Sequence, residues 1–159
     1  RTTEKEYFAI TVGIPNHDRD IIEQPIGIHP YQREKMAIRA NHETSREATT
    51  FYEVQERFHG FAAVKVLPKT GRTHQIRVHM AHLRCPVLCD RLYGGRAQLT
   101  YGELHRRDYS RILLDRQALH ACRIKLRHPA TNEPIEFSAP IPDDIQNTLV
   151  EMRKLIPFR

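Results

Sequence analysis

Two β-patterned segments separated only by His59 and Gly60 constrain the fold of this chain more than any other feature. Residues 49–58 place Phe51 on one face and Tyr52 on the other, as an extended strand does. Gly60 interrupts the pattern, and residues 61–68 resume it with apolar side chains. Because strands joined by so short a connection pair antiparallel, this region predicts a β-hairpin.

Further strands flank this hairpin in the sequence. Apolar, β-rich patterns predict strands at residues 5–13, 117–129 and 132–142. Residues 20–40 contain two prolines and a glycine, which rule out a long helix and favour short strands and turns. Polar composition predicts loops over residues 14–20 and 41–48, and a loop with one helical turn over residues 89–111.

Two segments carry helical periodicity. The first has Thr73 as its expected N-cap, an apolar stripe and Pro86 as its stop; the stripe is Ile76, Met80 and Leu83. The second covers residues 143–156, with Asp143 or Asp144 as the expected cap and a stripe formed by Ile145, Leu149, Met152 and Ile156. The order of elements predicts a single α+β domain over residues 1–159, with a mixed, mostly antiparallel sheet and two main helices.

Composition limits the classes of function. The 159 residues include 25 Lys and Arg against 19 Asp and Glu, a formal net charge of +6, and the pI is near 9.5. Such a balance is compatible with a nucleic-acid partner. No apolar run is long enough to cross a membrane, and an odd count of three cysteines fits reduced thiols in the cytoplasm better than a disulfide framework.

A Gly-Arg-Thr turn stands directly before the first helix, in the segment KTGRTHQIRVHMAHLRC (residues 69–85). Unpaired N–H groups at a helix N-terminus, with Arg72 and Lys69 nearby, favour an anion such as phosphate. Arg77, one turn after Thr73, offers a planar fork of five donors that can hold a carboxylate. From the spacing alone, a solvated basic helix face is the simpler interpretation.

Residues 67–95, which contain this segment, resemble the RluA-type pseudouridine synthase family. The resemblance extends to KEYFAITVG upstream and to LHACRIKLRHP and IEFSAPIP downstream, in the family's order and nearly its spacing. It implies the catalytic-domain fold of that family and an enzyme that isomerises uridine to pseudouridine in structured ribosomal or transfer RNA. The family uses an aspartate and needs neither a cofactor nor a metal. We therefore expect a cytoplasmic, monomeric RNA-modifying protein with no membrane partner.

The resemblance assigns roles to individual residues. Tyr7 matches the tyrosine that lies against the flipped uracil, and Arg77 matches the arginine that orients the catalytic aspartate. Ile76 matches an apolar position that lines the pocket, although plain core packing also explains it. RNA-binding residues are expected in and beside the Gly-Arg-Thr turn: Lys69, Arg72, Thr73 and His74.

The family's catalytic aspartate belongs to a His-Arg-Leu-Asp stretch that precedes the tyrosine strand. Arg1 lies only six residues before Tyr7, so we expect this chain to be the C-terminal part of the catalytic domain and to be inactive alone, with Arg77 facing an empty pocket. The segment His17-Asp18-Arg19-Asp20 contains residue types similar to those of the His-Arg-Leu-Asp stretch, but its composition predicts an exposed turn. Asp90 matches a loop-shaping aspartate of the family, and Cys89 stands where the family has glycine, which suggests a positive φ there.

Two alternatives remain from the sequence. The first is a non-catalytic RNA-binding module derived from the same fold. The second is a zinc site, because the spacing of His79, His82, Cys85 and Cys89 places four metal-binding side chains close together. The family implies no metal there, and we expect His79 to pack beside the apolar stripe of the helix. Cys122 is expected to be a buried thiol in a strand.

Overall fold

The computed structural model describes residues 3–155 and contains ten strands and four helices over that range. The strands are β1 (Glu4–Val12), β2 (Arg19–Glu23), β3 (Ile26–Ile28), β4 (Met36–Ile38), β5 (Thr49–Arg57), β6 (Phe61–Pro68), β7 (Leu99–Thr100), β8 (Ile112–Leu114), β9 (Leu119–Arg127) and β10 (Pro134–Ser138). The helices are α1 (Gln75–His82), α2 (Arg91–Gly94), α3 (Tyr101–His105) and α4 (Asp143–Arg153). None of these helices is long and apolar enough to cross a bilayer.

A six-stranded sheet in the order β10-β9-β1-β6-β5-β2 forms the centre of the molecule. Every neighbouring pair in it is antiparallel, which confirms the predicted α+β class. The predicted hairpin is β5–β6, with Tyr52 opposite Val66. Gly60 lies in its turn at φ +83°, a conformation that glycine adopts without steric cost.

The two main helices bury their apolar stripes in one core. Ile76 and Met80 of α1 pack with the sheet residues Tyr52 and Val64, and all four are buried. From α4, three side chains are buried in the same core: Ile145, Leu149 and Met152. Full burial of an aliphatic side chain contributes about 1.5–3 kcal/mol, so both helices are held by packing against the sheet.

The helix starts differ from those expected. Helix α1 begins at Gln75, and its N-cap is His74 in the left-handed conformation, so Thr73 is not the cap. The N–H of Gln75, which a cap at Thr73 would bind, instead donates to the carbonyl of Arg72. Helix α4 begins at Asp143, and neither aspartate is its N-cap, because Pro142 occupies that position and both aspartates lie in the first helical turn. Ile156, expected in the stripe of α4, lies outside the described residues.

The region between α1 and β9 is more ordered than its polar composition indicates. It contains α2, the β7–β8 pair and α3, where Thr100 and Glu103 form a reciprocal capping box. The strand β8 was not predicted. Arg19 and Asp20, expected in a turn, instead begin β2, because they pair with Glu53 and Tyr52 of β5.

Candidate active site

A cleft of about 290 Å³ lies between the start of β1 and the start of α1. Five of the seven residues expected at the site line it: Tyr7, Arg72, His74, Ile76 and Arg77. Lys69 instead lines a neighbouring depression of about 350 Å³, together with Lys5 and Lys125. Thr73 is exposed and lines neither cavity. Tyr7 and Arg77, far apart in the sequence, thus share one cleft.

Arg77 faces a cleft whose described lining holds no carboxylate, but it has an acidic partner within the chain, so the expectation that its guanidinium is unpaired is wrong. Its Nε donates to Oδ2 of Asp90 at 2.7 Å, and its Nη2 donates to Oδ1 at 2.9 Å. The side chain of Asp90 is fully buried, whereas that of Arg77 keeps 17% of its surface exposed. The hydrogen bond to Asp90 raises the pKa of Arg77 further, so the guanidinium is permanently charged.

Asp90 is fixed by its own backbone surroundings. It is the N-cap of α2, and its Oδ1 accepts from the N–H groups of Leu92 and Tyr93 at 3.2 and 3.3 Å. The preceding residue, Cys89, is buried and has φ +61°, so the left-handed backbone is present although cysteine stands where the family has glycine. The left-handed backbone conformation of Cys89 and the N-cap position of Asp90 together direct the buried carboxylate toward Arg77.

Tyr93 forms the back of the site. The guanidinium of Arg77 lies 5.0 Å from the centre of its ring, within cation–π range. Its hydroxyl accepts from the N–H of Met36 at 2.8 Å and lies 2.7 Å from Nδ1 of His74. Burial raises the pKa of Tyr93, so its hydroxyl stays protonated and can donate to His74. Burial and the nearby Arg77 lower the pKa of His74, which favours the neutral ring that accepts this hydrogen bond.

The Gly-Arg-Thr turn is anchored by Gln75. Its Oε1 accepts from the hydroxyl of Thr70 at 2.7 Å and from the N–H of Arg72 at 2.9 Å. Its Nε2 donates to the carbonyl of Thr49 and to Oγ1 of Thr50, both at 3.0 Å. One buried amide therefore ties the turn to strand β5 and leaves the side chain of Arg72 on the surface.

The cleft is cationic and lacks a carboxylate. None of its lining residues within 3–155 is Asp or Glu, and Asp90 lies behind Arg77. The pair with Asp90 occupies Nε and one hydrogen of Nη2, so Nη1 and the second hydrogen of Nη2 keep their donor capacity. An acidic group entering the cleft would meet a guanidinium that is already oriented.

Sequence reasoning missed Gln75 and Tyr93 and gave Asp90 only a loop-shaping role. For Asp90, the sequence does carry a signal: an aspartate preceding Arg-Leu-Tyr-Gly fits an N-cap. For Gln75 and Tyr93 there is none, because each bonds to a strand far away in the sequence, Tyr93 to β4 and Gln75 to β5.

The residues considered for zinc have other roles. His79 is fully buried, as expected, and both of its ring nitrogens are within hydrogen-bond distance of protein oxygens. His82 is exposed, whereas Cys85 and Cys89 are buried. Burial raises the pKa of Cys89 to about 11, which disfavours the thiolate that zinc requires. Within 3–155 no three such side chains form a metal-binding group. Cys122 is only half-buried, contrary to expectation.

Solved structures show where this fold occurs elsewhere. The chain superimposes on human RNA pseudouridylate synthase domain containing 4 with a TM-score of 0.73 and 24% identity, covering 98% of this chain and 64% of that one. For human RNA pseudouridylate synthase domain containing 1, the TM-score is 0.68 at 23% identity, covering 99% of this chain and 69% of that one. Both comparisons confirm the fold.

Sequence comparisons give the family. Ribosomal large subunit pseudouridine synthase D of Xanthomonas campestris is 40% identical over 154 residues, which are 97% of this chain and 45% of that protein. The Vibrio cholerae protein of the same name is also 40% identical, with 97% and 46% covered. The chain thus spans about half the length of the curated relatives it matches. A family model described as RNA pseudouridylate synthase matches residues 1–82. The chain therefore belongs to the RNA pseudouridylate synthase family, in its RluA-type branch.

Proposed function

We propose that this chain is the C-terminal portion of a catalytic domain that isomerises uridine to pseudouridine in structured RNA. One observation carries the proposal: Arg77 and Tyr7 line one cleft, and the guanidinium keeps donors available beyond those bound to Asp90. The names of the relatives favour ribosomal RNA over transfer RNA as the substrate. We therefore expect a cytoplasmic protein.

The reaction requires a carboxylate that the cleft-lining residues do not supply. We infer that an aspartate from a segment preceding residue 1 enters the cleft and pairs with the remaining donors of Arg77. An adjacent guanidinium favours the ionised form of a carboxylate, which is the form needed either to attack C1′ of the ribose or to remove a neighbouring proton. The target uridine must leave its stack to reach the cleft, at a cost of a few kcal/mol.

The lining residues have separate parts in this proposal. The phenol of Tyr7 lies against the flipped uracil, and Ile76 supplies an apolar wall. Lys69, Arg72 and Thr73 are exposed beside the cleft, where they can contact the RNA backbone, and His74 closes its inner side. The isomerisation breaks one glycosidic bond and forms another within the same nucleotide. It is redox-neutral, so it needs no redox cofactor. We also propose that the protein is a monomer.

Isomerase assays on an rRNA fragment containing uridine test this proposal. The purified 159-residue chain should show no turnover, whereas the protein extended upstream to include the aspartate segment should convert uridine. Arg77→Lys in the extended protein should abolish most turnover, because an ammonium cannot reproduce the guanidinium fork. Turnover by the chain alone would contradict the missing-aspartate part of the proposal. An inactive extended protein would contradict the enzyme assignment.

A second candidate function is a non-catalytic RNA-binding module. It is favoured by the ion pair itself, since Asp90 already neutralises Arg77 and the described lining of the cleft holds no carboxylate. The two candidates differ in the upstream sequence of the gene: a His-Arg-Leu-Asp segment there favours the enzyme, and its absence favours the module.

A further inference from the structure

The orientation of Arg77 is determined from behind the cleft. Asp90 binds the Nε–Nη2 edge through both carboxylate oxygens, and Tyr93 lies against the guanidinium. Because the fork is planar, fixing one edge fixes the direction of the remaining donors. The Asp90 carboxylate is itself fully buried and accepts two backbone N–H groups, so it has little freedom to turn.

The backbone conformation next to this carboxylate is energetically unfavourable. Cys89 adopts φ +61°, a conformation that is unfavourable for residues with a Cβ and persists only where the surroundings enforce it. A relaxed turn at this point would aim the Asp90 side chain elsewhere. The left-handed turn and the bidentate ion pair are independent observations that concern the same carboxylate.

We propose that Asp90 is a positioning residue, which acts through Arg77 by binding its Nε–Nη2 edge so that the remaining donors are presented to a carboxylate in the cleft. This inference rests on the proposed function, because the carboxylate in question is that of the incoming catalytic segment. Asp90 does not contact the substrate. Its effect on the reaction comes entirely from the direction in which Arg77 points.

A double-mutant cycle in the upstream-extended protein tests the inference. Asp90→Asn keeps the size of the side chain and a capping oxygen, so α2 can still form, but an amide cannot accept hydrogen bonds from both Nε and Nη2. We expect kcat to fall about 10- to 100-fold, the effect of misplacing a reacting group by about 1 Å, while KM for the RNA stays within about twofold. Combined with Arg77→Lys, Asp90→Asn should cause no further loss, because both changes remove the same function.

The matched control is Asp144→Asn. Asp144 accepts from Nε and Nη2 of Arg116 at 2.7 and 2.9 Å, the same geometry as the Arg77–Asp90 pair, but on α4 and away from the cleft. Its kcat should match that of the unaltered protein. A near-ultraviolet circular dichroism spectrum confirms that each variant is folded.

The outcomes separate this inference from the proposed function. An active parent protein in which Asp90→Asn retains normal kcat overturns the positioning role alone. Losses from Asp90→Asn and Arg77→Lys that multiply in the double variant also overturn it, because Asp90 then acts independently of Arg77. An inactive parent protein overturns the proposed function and removes the reason for any positioning.

Discussion

His79 and Thr50 join helix α1 to strand β5 through a hydrogen bond of 2.7 Å between Nδ1 and Oγ1, with both residues fully buried. The carbonyl of Gln24, 2.9 Å from Nε2, can only accept, so Nε2 carries the ring hydrogen. In the neutral ring Nδ1 then accepts from the hydroxyl of Thr50, which also accepts from the amide of Gln75. The network is complete only while His79 is neutral.

Folding stability should therefore depend on pH through His79. Burial lowers its pKa below the usual value of about 6.5, so the unfolded chain binds this proton at a higher pH than the folded chain does. The free energy of unfolding contributed by His79 is fully present above about pH 6.5 and is lost as the pH falls toward the folded-state pKa. We expect a decrease of at most about 1.4 kcal/mol per pH unit between pH 7.5 and 5.5, measured by urea unfolding.

Two variants isolate this contribution. His79→Gln removes the titrating group, so the difference in stability between pH 7.5 and 5.5 should become smaller, even if the variant is less stable at both. His82→Gln is the control, because His82 lies on the same helix but is exposed. An unchanged pH dependence in His79→Gln would mean that the buried ring does not govern it.

Gln75→Leu should destabilise the fold by about 2–4 kcal/mol. Leucine has a similar volume, but it removes the acceptor Oε1 from the hydroxyl of Thr70 and the N–H of Arg72, and each unsatisfied donor costs about 1–3 kcal/mol. Urea unfolding at pH 7.5 measures the change. Gln55→Leu is the control, since Gln55 is exposed and bonds only to Glu53; its effect should stay within about 0.5 kcal/mol.

The sheet and both main helices were predictable because their signals are local. Alternation marks β5 and β6, Gly60 marks their turn, and the apolar stripe marks α1. The strand β8 escaped prediction because it has three residues and pairs only with the two-residue β7, which is too short to show a period.

The site was predictable only in part. Tyr7 and Arg77 were identified by family resemblance, and the structure brings them to one cleft. The pairing of Arg77 with Asp90 was not predicted. Sequence periodicity does not show which acidic side chain lies within hydrogen-bond distance of a guanidinium in the folded chain. Similarly, the start of α1 was placed too early because the side chain that caps the preceding turn, Gln75, lies inside the helix itself.

At Cys89, replacement by glycine should give a more stable protein than replacement by alanine, which is the reverse of the usual order of stability. Both replacements remove the buried thiol, but alanine keeps the Cβ that is strained at φ +61°, whereas glycine does not. We expect Cys89→Gly to be more stable than Cys89→Ala by about 1 kcal/mol, measured by thermal or urea unfolding.

Cys122 provides the comparison for this prediction. It lies in strand β9, where glycine is less favourable than alanine by about 0.5–1 kcal/mol. Cys122→Gly should therefore be less stable than Cys122→Ala. The same order at both positions would show that the left-handed turn at Cys89 does not impose a cost.

Binding of single-stranded RNA to the 159-residue chain should weaken as the salt concentration rises, because each lysine or arginine that contacts a phosphate releases counterions. The logarithm of the affinity should fall with a slope of about −0.7 per contact against the logarithm of the salt concentration. Lys69→Ala and Arg72→Ala should each make this slope shallower by about one contact, since both side chains are exposed beside the cleft. Lys154→Ala is the control: Lys154 is paired with Glu151 at 2.8 Å and lines a different cavity, so its loss should leave the slope unchanged. An affinity independent of salt would show that Lys69 and Arg72 do not contact the phosphates of the RNA. It would count against both the enzyme and the binding-module proposals.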